Sequence, residues 1–133
     1  PWDRIVSQFA YMQHRPDLMD YIGMSPDTEF KAYLELIQQR EHVQWMPQHK
    51  FLLDEDGTPL VDHIGRLESF KTDFSSILAD LKLDASMQVA HINRTNRRPI
   101  KDYYNDRETV ETVADIYSED INLLGYSFDQ LIS

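Results

Sequence analysis

The chain has 133 residues, enough for one ordinary domain with a sizeable core. Hydrophobic residues make up 41% and charged residues 27%, which is a globular composition. No apolar run approaches the ~20 residues of a membrane span. The net charge of -10 argues against a general nucleic-acid binder, and the absence of cysteine excludes disulfides, thiolate zinc sites and cysteine nucleophiles. We expect a soluble chain, cytoplasmic if the source is bacterial, with its compartment otherwise open.

The first quarter of the chain predicts two helices. An amphipathic helix of about three turns ends before Pro16, because proline disfavours helix in the residue ahead of it. A second helix starts at Ser25 as its N-cap, with Pro26 in the first helical position, and continues to about Arg40. The apolar positions of the first helix recur at helical spacing: Trp2, Ile5, Val6, Phe9, Ala10 and Met12.

In the middle of the chain, the spacing of apolar residues is no longer helical. Residues 50–53 and 60–64 are short apolar runs on either side of an Asp-Gly turn at Gly57, which predicts a small β-hairpin. An isolated hairpin is only marginally stable in water. The second run is apolar enough to belong to a larger sheet, for which the rest of the chain offers no other good strands.

Helical spacing returns in the second half. One helix is predicted over residues 68–81, and residues 84–105 look irregular. A last long helix is predicted from Asp106 to Leu124, with Gly125 at its C-cap. The predicted fold class is mainly α with a small strand pair, in a single domain over residues 1–133.

Residues 91–101 carry an unusual concentration of positive charge. Four of the 13 Lys and Arg residues of this acidic chain fall in these 11 positions. Arginine forks well onto phosphate oxygens, and neighbouring asparagine and threonine supply further donors. The residues alone favour an anion site and a solvated loop about equally. For Ser7 on the first helix, the residues alone favour a solvated hydroxyl over a phosphate contact.

No residue can be assigned to catalysis or to a metal from spacing. The five histidines lack the spacing of a metal site, and the acidic turn at residues 54–57 does not place glycine and glutamate where a calcium loop needs them. We therefore assign no catalytic and no metal-binding residue.

Several segments together resemble one enzyme family. Residues 1–7 resemble the second half of the Arg-Asn-Pro-x-x-Arg-x-x-Ser segment of carbohydrate-type sulfotransferases. These enzymes use 3′-phosphoadenosine 5′-phosphosulfate (PAPS). Each motif alone is weak, but five occur in family order over nearly the whole chain. The other four lie at residues 45–52, 62–68, 91–104 and 120–128.

The resemblance implies a set of nucleotide contacts. In the family, an Arg and a Ser eight positions later hold the 3′-phosphate of PAPS; Ser7 matches that Ser, and the Arg would lie before Pro1. The late loop contributes further contacts to the same phosphate. The candidate cofactor-binding residues are therefore Ser7, Asn93, Arg94, Thr95, Arg97 and Arg98.

The resemblance also implies what this chain does not supply. The family's 5′-phosphosulfate loop and its general base have no counterpart here. We therefore expect the C-terminal part of an α/β P-loop-like sulfotransferase, inactive by itself, whose N-terminal half would precede Pro1. In the family, the strand equivalent to residues 62–67 joins a sheet. Exposed here, its edge would favour self-association. The expected partners are the nucleotide and a carbohydrate or small-molecule acceptor, with no nucleic acid.

Two other hypotheses remain at this point. The chain could be a non-catalytic, acidic helical binding module whose basic loop holds an anionic partner. It could also be a stable fragment with no function beyond folding. Binding to adenosine 3′,5′-bisphosphate, compared with binding to any polyanion, distinguishes the sulfotransferase hypothesis from the other two.

Overall fold

The computed structural model describes residues 1–84 and 97–133, which are mainly helical. They divide into two compact units, residues 1–50 with 97–133 and residues 51–84. A 3₁₀ turn covers Ile100–Tyr103. The α-helices are α1 (Trp2–Met12), α2 (Pro16–Ile22), α3 (Phe30–Gln39), α4 (His49–Leu52), α5 (Phe70–Asp80), α6 (Arg107–Ile116), α7 (Ser118–Leu124) and α8 (Phe128–Ile132).

Helix α1 confirms the first prediction. Its apolar stripe is buried, with Ile5 and Val6 almost completely removed from solvent. Pro16 then opens α2, where a missing N–H costs nothing, and Gly23 ends it in the left-handed conformation (φ 76°). Helix α2 lies in a segment that the sequence pattern did not mark as helical.

Helix α3 begins later than predicted. The Ser25 amide donates to Thr28 Oγ1 at 2.9 Å, and the Thr28 amide donates to the Ser25 carbonyl at 3.1 Å. Ser25 therefore stabilises a separate turn, and it is not the N-cap of α3. Short hydroxyl side chains compete with helix in this way. The helix starts at Phe30, after Glu29 in extended conformation.

The predicted long C-terminal helix is two helices. Asp106 caps α6 by accepting a hydrogen bond from the Thr109 amide at 2.7 Å. The chain leaves helical geometry at Tyr117 (φ -115°, ψ 27°) and re-enters it in α7. The buried Tyr117 hydroxyl donates to the Trp45 carbonyl at 2.7 Å. Gly125 ends α7 in the left-handed conformation, as the sequence predicted.

The core lies in the first unit and is rich in aromatic rings. Phe9 packs against Tyr33, with ring centroids 5.1 Å apart, and Phe30 meets Tyr103 edge-on at 5.5 Å. Hydrogen bonds tie the start of α1 to this core. Trp2 Nε1 donates to the Val110 carbonyl at 3.1 Å, and the Tyr104 hydroxyl donates to the Trp2 carbonyl at 2.9 Å. The N-terminal turn of α1 is thus held from two directions.

The predicted hairpin is reduced to one bridge. Residues 49–52 are helical, and the only pairing among residues 51–84 is an antiparallel bridge between Leu53 and Pro59. The Asp54 carboxylate accepts hydrogen bonds from two turn amides, at 2.8 and 3.0 Å, which closes a compact turn. With no neighbouring strand in this unit, residues 60–64 stay irregular. Helix α5 is confirmed.

The fold-class expectation is therefore confirmed for its mainly α part. The described residues form no sheet, so the α/β part of the expectation has no counterpart in them.

Candidate functional site

Ser7 lies on a half-buried side of α1. Asp3, Ser7, Ala10 and His14 follow one another at helical spacing and so lie along one side of the helix and its C-terminal turn. Within the described residues, no hydrogen bond engages the Ser7 hydroxyl. Residues 1–84 and 97–133 therefore leave this hydroxyl available as a donor.

Arg97 reaches the same side of α1. Its Nη2 atom lies 2.5 Å from Asp3 Oδ1, and its side chain is only 18% exposed. Arg97 also borders an open groove whose α1 wall includes Ala10 and His14. Ser7 lies between Asp3 and Ala10 on this side of the helix. Arg97, 90 positions later in the sequence, thus contacts Asp3 before Ser7 and shares a groove with Ala10 after it, on the same side of α1.

Arg98 borders the same groove. Its guanidinium carbon lies 4.9 Å from the centroid of the Tyr103 ring, a cation–π distance, and the residue is exposed. The remaining candidates, Asn93, Arg94 and Thr95, lie outside the described residues. Three of the six predicted contacts can therefore be located, and all three lie at or beside one side of α1.

The residues present fit a phosphate group in part. Ser7 offers a hydroxyl group, Arg97 contacts Asp3 on the same side of α1, and Arg98 borders the groove beside it. The Asp3 carboxylate opposes an anion at the same place. Hydroxyl and guanidinium groups are donors that suit a phosphate, and Asp3 is an acidic group in contact with Arg97, the less exposed of the two arginines.

Arg4 was not singled out from the sequence, although it lies in the first motif. Its Nη2 atom donates to the carbonyls of Gln44 (3.3 Å) and Met46 (2.9 Å), and its guanidinium lies 5.7 Å from the Tyr117 ring centroid. Arg4 therefore ties the first motif to the Trp45–Gln48 segment. The i, i+3 spacing of Arg4 and Ser7 in the motif was the available signal.

Asp120 is the second missed residue. It is 1% exposed, and its carboxylate accepts hydrogen bonds from the amides of Gln48 and His49, both at 2.7 Å. The His49 ring nitrogen Nδ1 lies 2.9 Å from the same carboxylate. A buried carboxylate satisfied by several donors is a rigid anchor. Asp120 of the closing motif and Arg4 of the first motif therefore hold the same loop.

The buried tyrosines stay protonated over the physiological range. Burial raises the pKa of Tyr117 to about 12, although the nearby Arg4 acts in the opposite direction. Burial likewise raises the pKa of Tyr33 and of Tyr104. Their hydroxyls serve as donors to backbone carbonyls where they are paired, as for Tyr104 and Tyr117. The hydroxyls of Tyr104 and Tyr117 thus fasten the backbone at Trp2 and at Trp45.

The described residues contain neither a cluster of metal ligands nor a membrane-spanning helix. In residues 1–84 and 97–133, no group of three or more His, Asp or Glu side chains could hold a metal ion. No helix in the same residues is long and apolar enough to cross a membrane.

Comparison with known proteins identifies the class of this chain. The family model of the sulfotransferases matches residues 1–127. The chain therefore belongs to the sulfotransferase family, which confirms the resemblance inferred from its motifs. No curated protein and no solved structure matches the chain.

Proposed function

We propose that this chain forms the C-terminal, 3′-phosphate-binding part of a sulfotransferase that uses PAPS. In the reaction, the sulfuryl group moves from the phosphosulfate to a hydroxyl or amine acceptor and leaves adenosine 3′,5′-bisphosphate. The proposed role of this chain is to bind the 3′-phosphate through Ser7, Arg97 and Arg98, together with Asn93, Arg94 and Thr95. The acceptor is a carbohydrate or small molecule.

The contact between Arg97 and Asp3 carries this proposal. It supports the proposal because Asp3 and Ser7 share one side of α1, so the Arg97 side chain, which is 18% exposed, reaches the side that carries the Ser7 hydroxyl. One helical turn, about 6 Å along the axis, separates Asp3 from Ser7, and an arginine side chain can cover that distance. A hydroxyl donor and a planar cation on one side of a helix form a favourable arrangement for a phosphate monoester.

Calorimetric titration with adenosine 3′,5′-bisphosphate tests the proposal. Hydrogen bonds to a charged group are worth about 1.5–3 kcal/mol, so Ser7→Ala and Arg97→Ala should each weaken binding about ten-fold or more. Arg94→Ala should weaken binding as well. Arg107→Ala is the matched control, because it removes one positive charge from a side chain that is 90% exposed on α6.

The controls decide between specific and generic binding. The proposal requires the Arg107 variant to bind within about two-fold of the wild type. Equal losses in the Arg97 and Arg107 variants would refute it. Inorganic tripolyphosphate bound as tightly as the nucleotide would also refute it and would favour the anion-binding module.

We also propose that the chain associates with itself through residues 51–84. This segment exposes several large apolar side chains, which favours association. Light scattering at high protein concentration should detect a species larger than the monomer. A monomer at every concentration would exclude self-association without affecting the proposed nucleotide site.

A further inference from the structure

The Asp3 carboxylate forms an ion pair with Arg97, whose guanidinium the proposed phosphate site needs. Asp3 Oδ1 lies 2.5 Å from Arg97 Nη2, and the arginine side chain is 18% exposed. Both charges act on the hydroxyl of the buried Tyr104, so the ion pair lies beside the core. The Asp3 side chain is 43% exposed, so the pair is shielded on the arginine side and open to solvent on the carboxylate side, where a ligand can approach.

A phosphate beside Ser7 would compete with Asp3 for this cation. One helical turn separates Ser7 from Asp3, so a phosphate at Ser7 would lie close to the carboxylate. Two anionic groups that share one guanidinium repel each other. Among the described residues, the Asp3 side chain forms a hydrogen bond and ion pair with Arg97 alone.

We propose that Asp3 is an internal competitor that holds Arg97 until a ligand phosphate displaces it. This inference rests on the proposed function. The competition lowers the affinity only for ligands that need Arg97, namely those with a 3′-phosphate. Asp3 thereby sets the affinity of the site for 3′-phosphorylated nucleotides, and a nucleotide without that phosphate leaves the Asp3–Arg97 pair intact.

Asp3→Asn tests the inference. The variant removes the charge and keeps the size of the side chain, so adenosine 3′,5′-bisphosphate should bind about five-fold more tightly than to the wild type. Adenosine 5′-monophosphate should bind unchanged. Asp17→Asn is the matched control, because it removes the same charge from an exposed side chain that pairs with Arg15; it should leave both affinities within about two-fold of the wild type.

The double variant Asp3→Asn/Arg97→Ala separates competition from simple repulsion. If Asp3 acts by holding Arg97, the gain from Asp3→Asn disappears in the Arg97→Ala background. A gain of the same size in both backgrounds would overturn the inference, as would weaker binding by Asp3→Asn. Circular dichroism of each variant verifies that the helices are intact, and Asp3→Ser provides a second neutral replacement.

Failure of this inference can be told apart from failure of the proposed function. If Arg97→Ala binds the nucleotide as well as the wild type does, the proposed function fails. If Arg97→Ala weakens binding but Asp3→Asn behaves like Asp17→Asn, the site stands and only the competitor role of Asp3 is refuted.

Discussion

The two units of this chain contain similar proportions of apolar residues and use them differently. In residues 51–84, 14 of 34 residues are hydrophobic, the same 41% share as in the whole chain. Leu78 is nevertheless the only buried side chain of this unit. The other unit, residues 1–50 with 97–133, encloses a continuous aromatic and aliphatic cluster. Composition alone therefore does not determine where a core forms.

Residues 51–84 are held mainly by local polar contacts. The Asp73 carboxylate accepts hydrogen bonds from the Arg66 amide (2.7 Å) and the Ser69 hydroxyl (2.6 Å). These hydrogen bonds, above all the one from the Arg66 amide, hold the pKa of Asp73 below its usual range. Asp54 plays a similar role in the turn before Pro59. Such contacts fix loop geometry but bury little apolar surface. We therefore expect substitutions to act strongly in the first unit and weakly in this one.

The largest expected difference is between two leucine-to-alanine substitutions. Leu34 is completely buried and Leu67 is 77% exposed. Leu34→Ala leaves a cavity in the core and should lower the free energy of unfolding by about 3 kcal/mol. Leu67→Ala should change it by less than about 0.5 kcal/mol. Urea unfolding followed by circular dichroism measures both, and similar losses would show that residues 51–84 contribute a core of their own.

The next largest effect is expected at the anchor of the Trp45–Gln48 loop. The buried Asp120 carboxylate makes three contacts, with the Gln48 and His49 amides and the His49 ring. In Asp120→Asn, the NH₂ group of the new amide would face a donor, so the free energy of unfolding should fall by about 3 kcal/mol. Asp115→Asn, on the exposed side of α6, should cost less than about 0.5 kcal/mol. The same urea titration checks both, and an Asp120 variant as stable as the Asp115 variant would show that the loop needs no anchor.

Alkaline pH should destabilise the unit that contains the tyrosines. An unfolded tyrosine has a pKa of about 10, and burial raises that of Tyr117 to about 12. The stabilisation is complete below about pH 10 and is lost as the pH rises towards 12, because the unfolded state releases the proton first. Residues 51–84 contain no tyrosine. The rise in tyrosinate absorbance should therefore coincide with the loss of helical circular dichroism from the unit that contains α1 and α3.

Tyr117→Phe provides the control for the alkaline transition. It removes the hydroxyl that donates to the Trp45 carbonyl, so it costs about 1 kcal/mol at neutral pH. Its stability should then fall less between pH 10 and 12 than that of the wild type. An unchanged slope would mean that the Tyr117 hydroxyl does not govern the alkaline transition.

Local signals made part of the fold predictable. Helices α1 and α5 follow from apolar periodicity, and the end of α7 follows from Gly125. The break at Tyr117 depends on a hydrogen bond to the Trp45 carbonyl, 72 positions away, and no local pattern contains it. The predicted strand over residues 50–53 was wrong for the same reason. Apolar runs this short are compatible with either helix or strand until their neighbours are known.

The candidate site was predictable only as separate parts. The motif resemblance suggested Ser7 and Arg97 as separate candidates, but the Asp3–Arg97 contact joins residues 94 positions apart. The three donors that converge on Asp120 come from a loop more than 70 positions earlier. Spacing along the chain carries no information on such pairs. Arg4 is an intermediate case, because its motif position was visible and its carbonyl partners were not.

The smallest effects on stability are expected from replacing one glycine in each unit by alanine. Gly23 (φ 76°) and Gly57 (φ 79°) both adopt the left-handed conformation, and a Cβ at either would meet no atom within 4 Å. Alanine should therefore cost about 1 kcal/mol at each position through backbone strain alone. Gly23→Ala should lower the midpoint of the main unfolding transition, because Gly23 ends α2 within the core-bearing unit.

Gly57→Ala should act locally, on the turn between Asp54 and Leu60. Hydrogen exchange of these two amides, which donate to the Thr58 and Leu52 carbonyls, should accelerate about five-fold, while the main transition stays unchanged. If Gly57→Ala lowered the main transition as much as Gly23→Ala, the two units would unfold together. The contrast in burial would then have no counterpart in stability. Because both variants introduce the same backbone strain and no packing change, the difference between them shows whether local strain in each unit lowers the stability of the whole chain or only that of the neighbouring turn.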